Sequence, residues 1–252
     1  MSRWWLIAFA LVMYLVFVVA TLPAQFGLWL MPAPNNLHVG KVSGSIWQGQ
    51  IGVVHWQGKI IKDVHWDINV GQLLLGRIEA DIVAGQDMTS DIAITGTAGM
   101  SFSGWYADDI ELAMPASVAA ELSPLPLQVE LEGMIDAQIT VASQGSPWCS
   151  ELEGVVTWRN PKVIAAALGN PFKLDNTRAQ LSCVNGEVVA KVDDDKQVMG
   201  LEVSATLAAT SYSVSGTINP GPQFPPGFEQ GLMFVATPIS NNSYQIELDG
   251  SL

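Results

Sequence analysis

Alternation of apolar and polar residues with a period of two runs through most of this chain. From Val39 onward the alternating stretches are rich in β-branched residues, and Gly, Asn, Asp or Gln separate them. The pattern predicts a mainly β protein, an extended and twisted antiparallel sheet. The predicted strands are Val39–Trp47, Gly52–Trp56, Ile60–Val70, Arg77–Ala84, Asp91–Ser103, Asp109–Ala113, Leu127–Ser143, Glu153–Arg159, Arg178–Val184, Glu187–Val192, Leu201–Ala208, Ser211–Ile218 and Tyr244–Leu252.

A short helical pattern interrupts the strands near the middle of the chain. Ser117 is placed to cap a helix over Val118–Leu122, and Ser123-Pro124 would end it. The pattern therefore predicts two β-rich halves with a short helix between them and a soft internal boundary near residue 125.

Turn residues indicate how some strands connect. Asn185-Gly186 predicts a tight hairpin, and Gly133 predicts a bulge or bend. Asp193-Asp194-Asp195 lacks the Gly and distal Glu of a calcium loop and is interpreted as a solvated turn. Pro220–Gly227 predicts an irregular loop, and Phe228–Phe234 a short helix or covering segment.

The first 22 residues break the β pattern with one continuous apolar run. Trp4–Leu22 contains no charged residue, and a helix of this length covers roughly 28 Å, close to the hydrocarbon thickness of a bilayer. The run predicts a single transmembrane helix that ends at Pro23. A cleaved secretory signal is the alternative, with Arg3 as its positive region and Val18-Val19-Ala20 as its cleavage site. The length of the run favours the uncleaved anchor.

Positive charge around the run predicts its orientation. Arg3 and the amino terminus precede it, and the first positive residue after it is Lys41, so residues 1–3 are predicted to be cytoplasmic. Residues 4–22 then form the transmembrane helix. Residues 23–38 form a juxtamembrane connector with Trp29 near the membrane interface. Residues 39–252 form an exported β domain.

Composition agrees with an exported domain and argues against two kinds of partner. The formal net charge of −13 argues against binding to nucleic acid and against docking on anionic lipid headgroups. Cys149 and Cys183 are the two cysteines, and an oxidising compartment would permit a disulfide between them. Closing a loop of about 35 residues would stabilise the domain by roughly 3–4 kcal/mol. Two separate buried thiols are the alternative.

Candidate catalytic and metal sites are not apparent in the sequence. The chain has no nucleophile elbow, His-Glu-x-x-His motif, phosphate-binding loop or dinucleotide fingerprint. His55 and His65 lie in a repeated Val-His-Trp triplet, but a zinc site generally needs at least three protein ligands. We interpret the two histidines as cross-strand neighbours beside packed tryptophans. We expect no enzymatic activity, no cofactor and no metal.

Four stretches resemble, in order along the chain, the type II secretion system protein N family, also called general secretion pathway protein N. They are Val42-Ser43-Gly44-Ser45-Ile46-Trp47-Gln48-Gly49 with Trp56-Gln57-Gly58, then Gly154–Asn160, Ser211–Ile218 and the ending Tyr244–Leu252. The motif residues that carry the resemblance are Ser43, Gly44, Trp47, Gly49, Trp158, Tyr212, Gly216 and Gly250.

The resemblance implies an accessory subunit of the machinery that exports folded proteins across the outer membrane. Its implied location is the bacterial inner membrane, with one span and a periplasmic β domain, and its implied partners are other secretion subunits and the lipid bilayer. The resemblance supplies no catalytic residues. A periplasmic lipid-binding or lipid-transfer protein with an apolar β groove is the alternative, because several of the nine tryptophans lie on predicted strands.

Overall fold

The described residues form one antiparallel sheet of 16 strands together with a few helices. The computed structural model describes residues 3–30, 37–86, 90–122, 130–164, 172–194, 196, 198–224, 236–240 and 242–251. The strands are β1 (Leu37–Val39), β2 (Val42–Gly44), β3 (Gln48–Trp56), β4 (Lys59–Ile68), β5 (Ile78–Ala84), β6 (Ala93–Ser101), β7 (Gly104–Pro115), β8 (Glu130–Gln144), β9 (Cys149–Ile164), β10 (Phe172–Lys173), β11 (Thr177–Val184), β12 (Glu187–Asp194), β13 (Leu201–Leu207), β14 (Ser211–Ile218), β15 (Thr237–Ser240) and β16 (Ser243–Ser251).

The strands follow one another as a long meander. Their order is β1-β3-β4-β5-β6-β7-β8-β9-β11-β12-β13-β14-β16-β15, with β2 beside β3 and β10 beside β9. The mainly β, antiparallel prediction is confirmed. The predicted boundary near residue 125 lies outside the described residues. Because β7 pairs directly with β8, the two predicted halves form one continuous sheet.

In the described part of the chain, four helices accompany the sheet: α1 (Arg3–Ala20), α2 (Ala24–Leu30), α3 (Val70–Leu73) and α4 (Ala116–Leu122). Within the described residues, no helix combines the length and the apolar character needed to cross a membrane. The segment predicted as a connector begins with helix α2, and the predicted strand Ile60–Val70 ends at Ile68, before α3. Neither α2 nor α3 was predicted from the sequence pattern.

Helix α4 lies where the pattern predicts a helix, but its start is different. It begins at Ala116, so Ser117 lies inside the helix and the predicted cap is wrong. Ala116 and Val118 are buried against strands β7 and β8. The start of the helix is therefore fixed by packing on the sheet and not by a capping side chain.

The sheet has one apolar face and one polar face. Residues directly opposite each other on paired strands share a face. One register row across eight neighbouring strands is apolar throughout, and it reads Leu112, Ala137, Val156, Ala179, Val192, Val203, Gly216, Ile246. The adjacent row, on the other face, reads Glu111, Gln138, Val155, Gln180, Lys191, Ser204, Ser215, Glu247.

The apolar face is only partly covered. The accessible surface of the chain is 16465 Å², whereas a compact monomer of this mass exposes roughly 10,800 Å². A closed cluster forms near the C-terminal strands, where Ile218, Ala236 and Tyr244 are buried and Phe224 packs nearby. Its edge is extended by an edge-to-face contact between Phe172 and Phe224, with ring centroids 6.4 Å apart.

Several turns occur as predicted. Asn185 and Gly186 both have positive φ, at 53° and 88°, and join β11 to β12 as a hairpin of two residues. The register shifts at Gly133, which confirms the predicted bulge. The solvated turn interpreted at Asp193-Asp194-Asp195 is wrong for its first two residues, because Asp193 and Asp194 end strand β12 and pair with β11. The side chain of Asp194 accepts hydrogen bonds from the backbone N–H groups of Lys196 and Leu201 just after the strand. Asp195 and Phe228–Phe234 lie outside the described residues, as does the loop predicted at 220–227 beyond Phe224.

Two predictions near the start of the sheet are wrong. Val39–Trp47 is not one strand, because β1 and β2 are separated and a sharp corner follows β2. The two histidines are not neighbours, because the register pairs His55 with Ile60 and His65 with Gln50. The residue opposite His55 on its other side is His38, on the edge strand β1. Among the described residues there is no group of three or more potential metal ligands.

Candidate functional site

A sharp corner between β2 and β3 contains half of the motif residues. Ser43 and Gly44 end β2, Trp47 lies in the corner and Gly49 lies at the start of β3. Gly44 has φ +93°, and a Cβ at this position would lie 2.5 Å from the carbonyl oxygen of Gln48. The Ser45 N–H donates to that same carbonyl over 2.8 Å. Only glycine fits this reversal without strain.

The corner is attached to the C-terminal end of helix α1. The backbone N–H of Ile46 donates to the carbonyl of Leu22 over 3.0 Å, and the indole Nε1–H of Trp47 donates to the carbonyl of Val19 over 3.0 Å. Pro23 also forms a β-bridge with Ser45. The last carbonyl groups of a helix lack partners within the helix. The corner supplies partners to two carbonyls in this region and thereby couples α1 to the sheet.

A tryptophan on the next strand holds the corner from the other side. Trp66 on β4 lies directly opposite Gly49. A Cβ on Gly49 would approach the Trp66 ring to 2.3 Å, so the ring covers the glycine backbone. The Trp66 indole N–H donates to the carbonyl of Ile46 over 3.0 Å. Glycine at position 49 is therefore required by close packing. Its lack of a side chain lets the Trp66 ring contact the backbone of Gly49 and donate to the Ile46 carbonyl at the same time.

The remaining motif residues use related contacts elsewhere in the sheet. The indole of Trp158 donates to the carbonyl of Glu132 over 3.0 Å, at the bulge formed by Gly133. Tyr212 lies opposite Gly250, where an added Cβ would come within 2.6 Å of the phenol ring. Gly216 lies in the apolar row, and a Cβ there would come within 2.2 Å of the carbonyl oxygen of Glu202.

The motif residues therefore do not converge on one site. They lie at the corner, at the centre of the sheet and beside its C-terminal strands, where aromatic rings cover glycines or bulges. Such pairs keep strands in register and compensate for missing side chains. One more such pair, Tyr106 opposite Gly99, was not predicted from the sequence. The sequence signal for this pair is a glycine that faces an aromatic residue on the next strand, and it can be recognised only when the strand register is known.

A disulfide closes the middle of the sheet. Cys149 at the start of β9 is bonded to Cys183 near the end of β11. Cys149 is 5% exposed. Trp148, next to it, donates its indole N–H to the carbonyl of Ala208 over 2.8 Å. Strands β9 and β11 pair from Glu153 opposite Ser182 to Trp158 opposite Thr177, and the bond links them just beyond the first of these pairs.

Several charged groups of the described residues form pairs at the surface. Arg159 contacts Asp136 through two hydrogen bonds of 2.5 and 2.6 Å, which raise the pKa of the guanidinium. Lys196 donates to Glu202, and this hydrogen bond raises the pKa of the lysine and lowers the pKa of the carboxyl. These pairs lie on the solvent-exposed surface, where ion pairs contribute little.

The phenol of Tyr106 on β7 contacts the two strands that precede it in the sheet, β5 and β6. Burial raises its pKa above the ordinary value, and the hydrogen bond from its hydroxyl to the Glu79 carboxylate, 2.9 Å long, adds to the effect. The same ring covers Gly99. This bond is therefore part of the packing between β5, β6 and β7.

Comparison with known proteins identifies the family. The family model described as type II secretion system protein N matches residues 35–247, which is most of the chain. The chain belongs to the type II secretion system protein N family. Curated members of this family include a Vibrio cholerae serotype O1 protein, 30% identical over 93% of both chains, and an Aeromonas hydrophila protein, 28% identical over 97% of both chains. A Klebsiella pneumoniae member is 21% identical over 82% of this chain and 79% of its own length.

The resemblance drawn from the sequence motifs is confirmed by this family match. The match covers the corner and every other motif residue except Gly250, which lies among the last five positions of the chain, after residue 247. No solved structure is significantly similar to the chain.

Proposed function

We propose that this protein is an accessory subunit of the type II protein secretion machinery in the cell envelope, and that it has no enzymatic activity. Membership of the type II secretion system protein N family supports a role in protein secretion. The attachment of the corner to α1 supports the way in which the protein would act, because it couples an apolar helix to a large sheet through backbone carbonyls. The protein would hold this sheet at the inner membrane, facing the periplasm, where it contacts other subunits.

The apolar surface of α1 supports a membrane anchor. From Trp4 to Phe17 its large side chains are exposed on all sides of the helix, with Trp4 80% and Phe17 67% exposed. A soluble helix normally buries one apolar stripe. The 18 residues span about 27 Å, and a short apolar helix is accommodated by local thinning of the bilayer and by aromatic side chains near the interface. Trp4 and Trp5 lie at the end predicted to face the cytoplasm.

Open sheet edges support contact with partner subunits. Strand β15 pairs with β16 alone among the described strands, and all four of its residues are exposed. Such an edge offers unpaired backbone groups to a strand of another chain. Tethering the sheet to the membrane would raise its effective concentration near membrane-bound partners.

The tethering proposal is tested by releasing the β domain. Replacing Trp4–Leu22 with a cleavable signal sequence should strongly reduce secretion in a strain that lacks the native protein, with the released domain present at normal levels. Full secretion by the released domain would refute tethering.

The edge contact is tested by photo-crosslinking in membranes that contain the complete machinery. A crosslinker at Ile239 on β15, which is 57% exposed, should capture a secretion subunit. A crosslinker at Lys191, exposed on the polar face of the central strand β12, is the matched control. Equal capture of a secretion subunit from both positions, or no capture from Ile239, would count against partner contact at the β15 edge.

A second candidate function, lipid binding, is favoured by the apolar face of the sheet. Its apolar row crosses eight strands, and the accessible surface exceeds that of a compact monomer by about half. An incompletely covered apolar surface is typical of sites for apolar ligands. Mass spectrometry of the purified protein distinguishes the candidates. Co-purified phospholipid or lipopolysaccharide supports the groove, whereas lipid-free protein bound to secretion subunits supports the adaptor.

A further inference from the structure

Two neighbouring turns of the sheet expose large apolar side chains beside helix α1. We refer to Val70, Leu74, Leu75, Ile78, Met100 and Phe102 as the apolar rim. Each is more than half exposed, and Leu74 and Phe102 are 91% and 98% exposed. Soluble proteins rarely expose such a cluster unless it binds something.

The rim is one continuous surface. Ile78 on β5 lies directly opposite Met100 on β6. Gly76, in the turn after α3, is so close to Phe102 that an added Cβ would come within 2.6 Å of the ring. The turn that follows α3 and the turn between β6 and β7 therefore lie side by side and present their apolar tips together.

The rim continues into the surface of α1. Val70 and Trp47 line a shallow apolar groove together with Leu15, Val16 and Val19 of α1. Leu15 lies five residues before the end of the helix, about 7.5 Å along its axis. Groups that lie on the bilayer boundary are buried about 5–10 Å into it. If α1 is in the membrane, Val70 lies at the depth of the interface.

The local charge also fits a bilayer. Residues 70–78 and 99–105 contain no Asp or Glu, although the whole chain carries a net charge of −13. Their one charged residue is Arg77, which is exposed. A cationic side chain on an apolar stem places its charge among lipid headgroups while the stem contacts acyl chains.

We propose that the apolar rim inserts into the periplasmic leaflet of the membrane that holds α1. The inference rests on the proposed anchoring of α1. Trp47 and the rim would then fix the tilt of the sheet relative to the bilayer, so that the sheet is held at two points and not by a flexible tether. The net charge of −13 argues against binding to anionic headgroups, but the rim is a local exception to that charge.

Lipid-dependent quenching of a fluorophore tests the insertion. The full chain is reconstituted in vesicles of phosphatidylethanolamine with a minor fraction of phosphatidylglycerol. The vesicles contain no nitroxide, a lipid that carries a nitroxide near its headgroup, or a lipid that carries a nitroxide in its acyl chain. A label sensitive to polarity is attached to one introduced cysteine at a time: Phe102→Cys or Leu74→Cys in the rim, Phe9→Cys in α1, or His55→Cys. His55 is exposed, and it lies seven residues along β3 from the corner, about 23 Å away.

Insertion predicts that the labels at positions 102 and 74 lose about half their fluorescence or more to the nitroxide, whereas the label at position 55 does not. The acyl-chain nitroxide could also quench the label in α1 while neither nitroxide quenches the labels at positions 102 and 74. This result would refute insertion of the rim and would still support the membrane anchor. If neither nitroxide quenches the label at position 9, α1 is not in the membrane, and both the anchoring proposal and the rim proposal are refuted. A rim label that is shielded from water but unquenched, in a sample that crosslinks to itself, would instead indicate a dimer and overturn the proposal.

A charge variant provides a second test. Leu74→Asp should reduce quenching of the label at position 102, because a carboxylate is costly at this depth and is repelled by phosphatidylglycerol. Leu74→Arg is the matched variant and should retain most of the quenching, since arginine can extend its charge to the headgroups. Equal quenching in the aspartate variant and the unsubstituted protein would contradict insertion.

Discussion

Gly49→Ala tests the idea that one ring supports the corner. The added methyl group would lie 2.3 Å and 2.6 Å from two Trp66 ring carbons and 2.9 Å from the Ser43 carbonyl oxygen. The ring must move away, which breaks its 3.0 Å hydrogen bond to the Ile46 carbonyl. Overpacking costs about 1–3 kcal/mol and the lost hydrogen bond about 0.5–1.5 kcal/mol, so the free energy of unfolding should fall by roughly 2–4 kcal/mol.

The matched control lies three residues further along the same strand. A Cβ on Gly52 meets no atom within 4 Å, so Gly52→Ala should change stability little or raise it by about 0.5–1 kcal/mol through reduced chain entropy. Urea unfolding of the full chain in detergent micelles, followed by tryptophan fluorescence, measures both variants. At a typical urea dependence of about 2 kcal/mol per M, the midpoint for Gly49→Ala should fall by roughly 1–2 M. Equal midpoints for the two variants would refute the reasoning.

A double variant separates the steric conflict from other effects. In a Trp66→Leu background the large ring is absent, so the further change caused by Gly49→Ala should be clearly smaller than in the unsubstituted protein. An equally large effect in both backgrounds would mean that the cost arises from the backbone near Ser43 and not from the ring.

Three further predictions concern the middle of the sheet. Reducing the disulfide should lower the free energy of unfolding by about 3–4 kcal/mol, and a Cys149→Ser/Cys183→Ser variant should match the reduced protein and not respond to reductant. Gly186→Ala should destabilise the β11–β12 hairpin by at least about 1 kcal/mol, measured as a lower melting temperature. The reason is that alanine would have to adopt the positive φ of this position and its Cβ would contact a backbone oxygen. Asn185→Gly is the control and should have little effect. Burial raises the pKa of Tyr106, so the contribution of this phenol to stability should be full below its unfolded pKa of about 10 and should be lost as pH rises through the folded pKa. Ultraviolet titration of phenolate should therefore show a late component that Tyr106→Phe removes. An unchanged titration profile in that variant would contradict the prediction.

The error over the two histidines shows what a local repeat cannot provide. The ten-residue spacing of the Val-His-Trp triplets correctly indicated two strands, but a hairpin turn of two residues at Gln57-Gly58 reverses the chain between them. His55 lies two residues before that turn and His65 seven residues after it, so they cannot be opposite each other. The turn sets the register of a hairpin, and the spacing of a repeat does not.

The long strands and hairpin turns were predictable because they depend on neighbouring residues. Alternation of side chains marks a strand that has one apolar face, and Asn-Gly adopts the positive φ angles of a tight turn wherever it occurs. Helix α3 was not predictable, since four residues carry too little periodicity to distinguish a helical turn from the end of a strand.

The sequence by itself determined the class of this protein: an apolar N-terminal run, a long alternating β region, two cysteines and the motifs of its family. The tertiary structure alone decided what those motifs do. The corner at Ser43–Gly49 is next to the end of α1, Trp66 covers Gly49, and the apolar rim joins two turns that are more than 20 residues apart in the chain. The physical reason is that alternation specifies which face a side chain is on, whereas strand register and long-range packing determine which residues meet across that face.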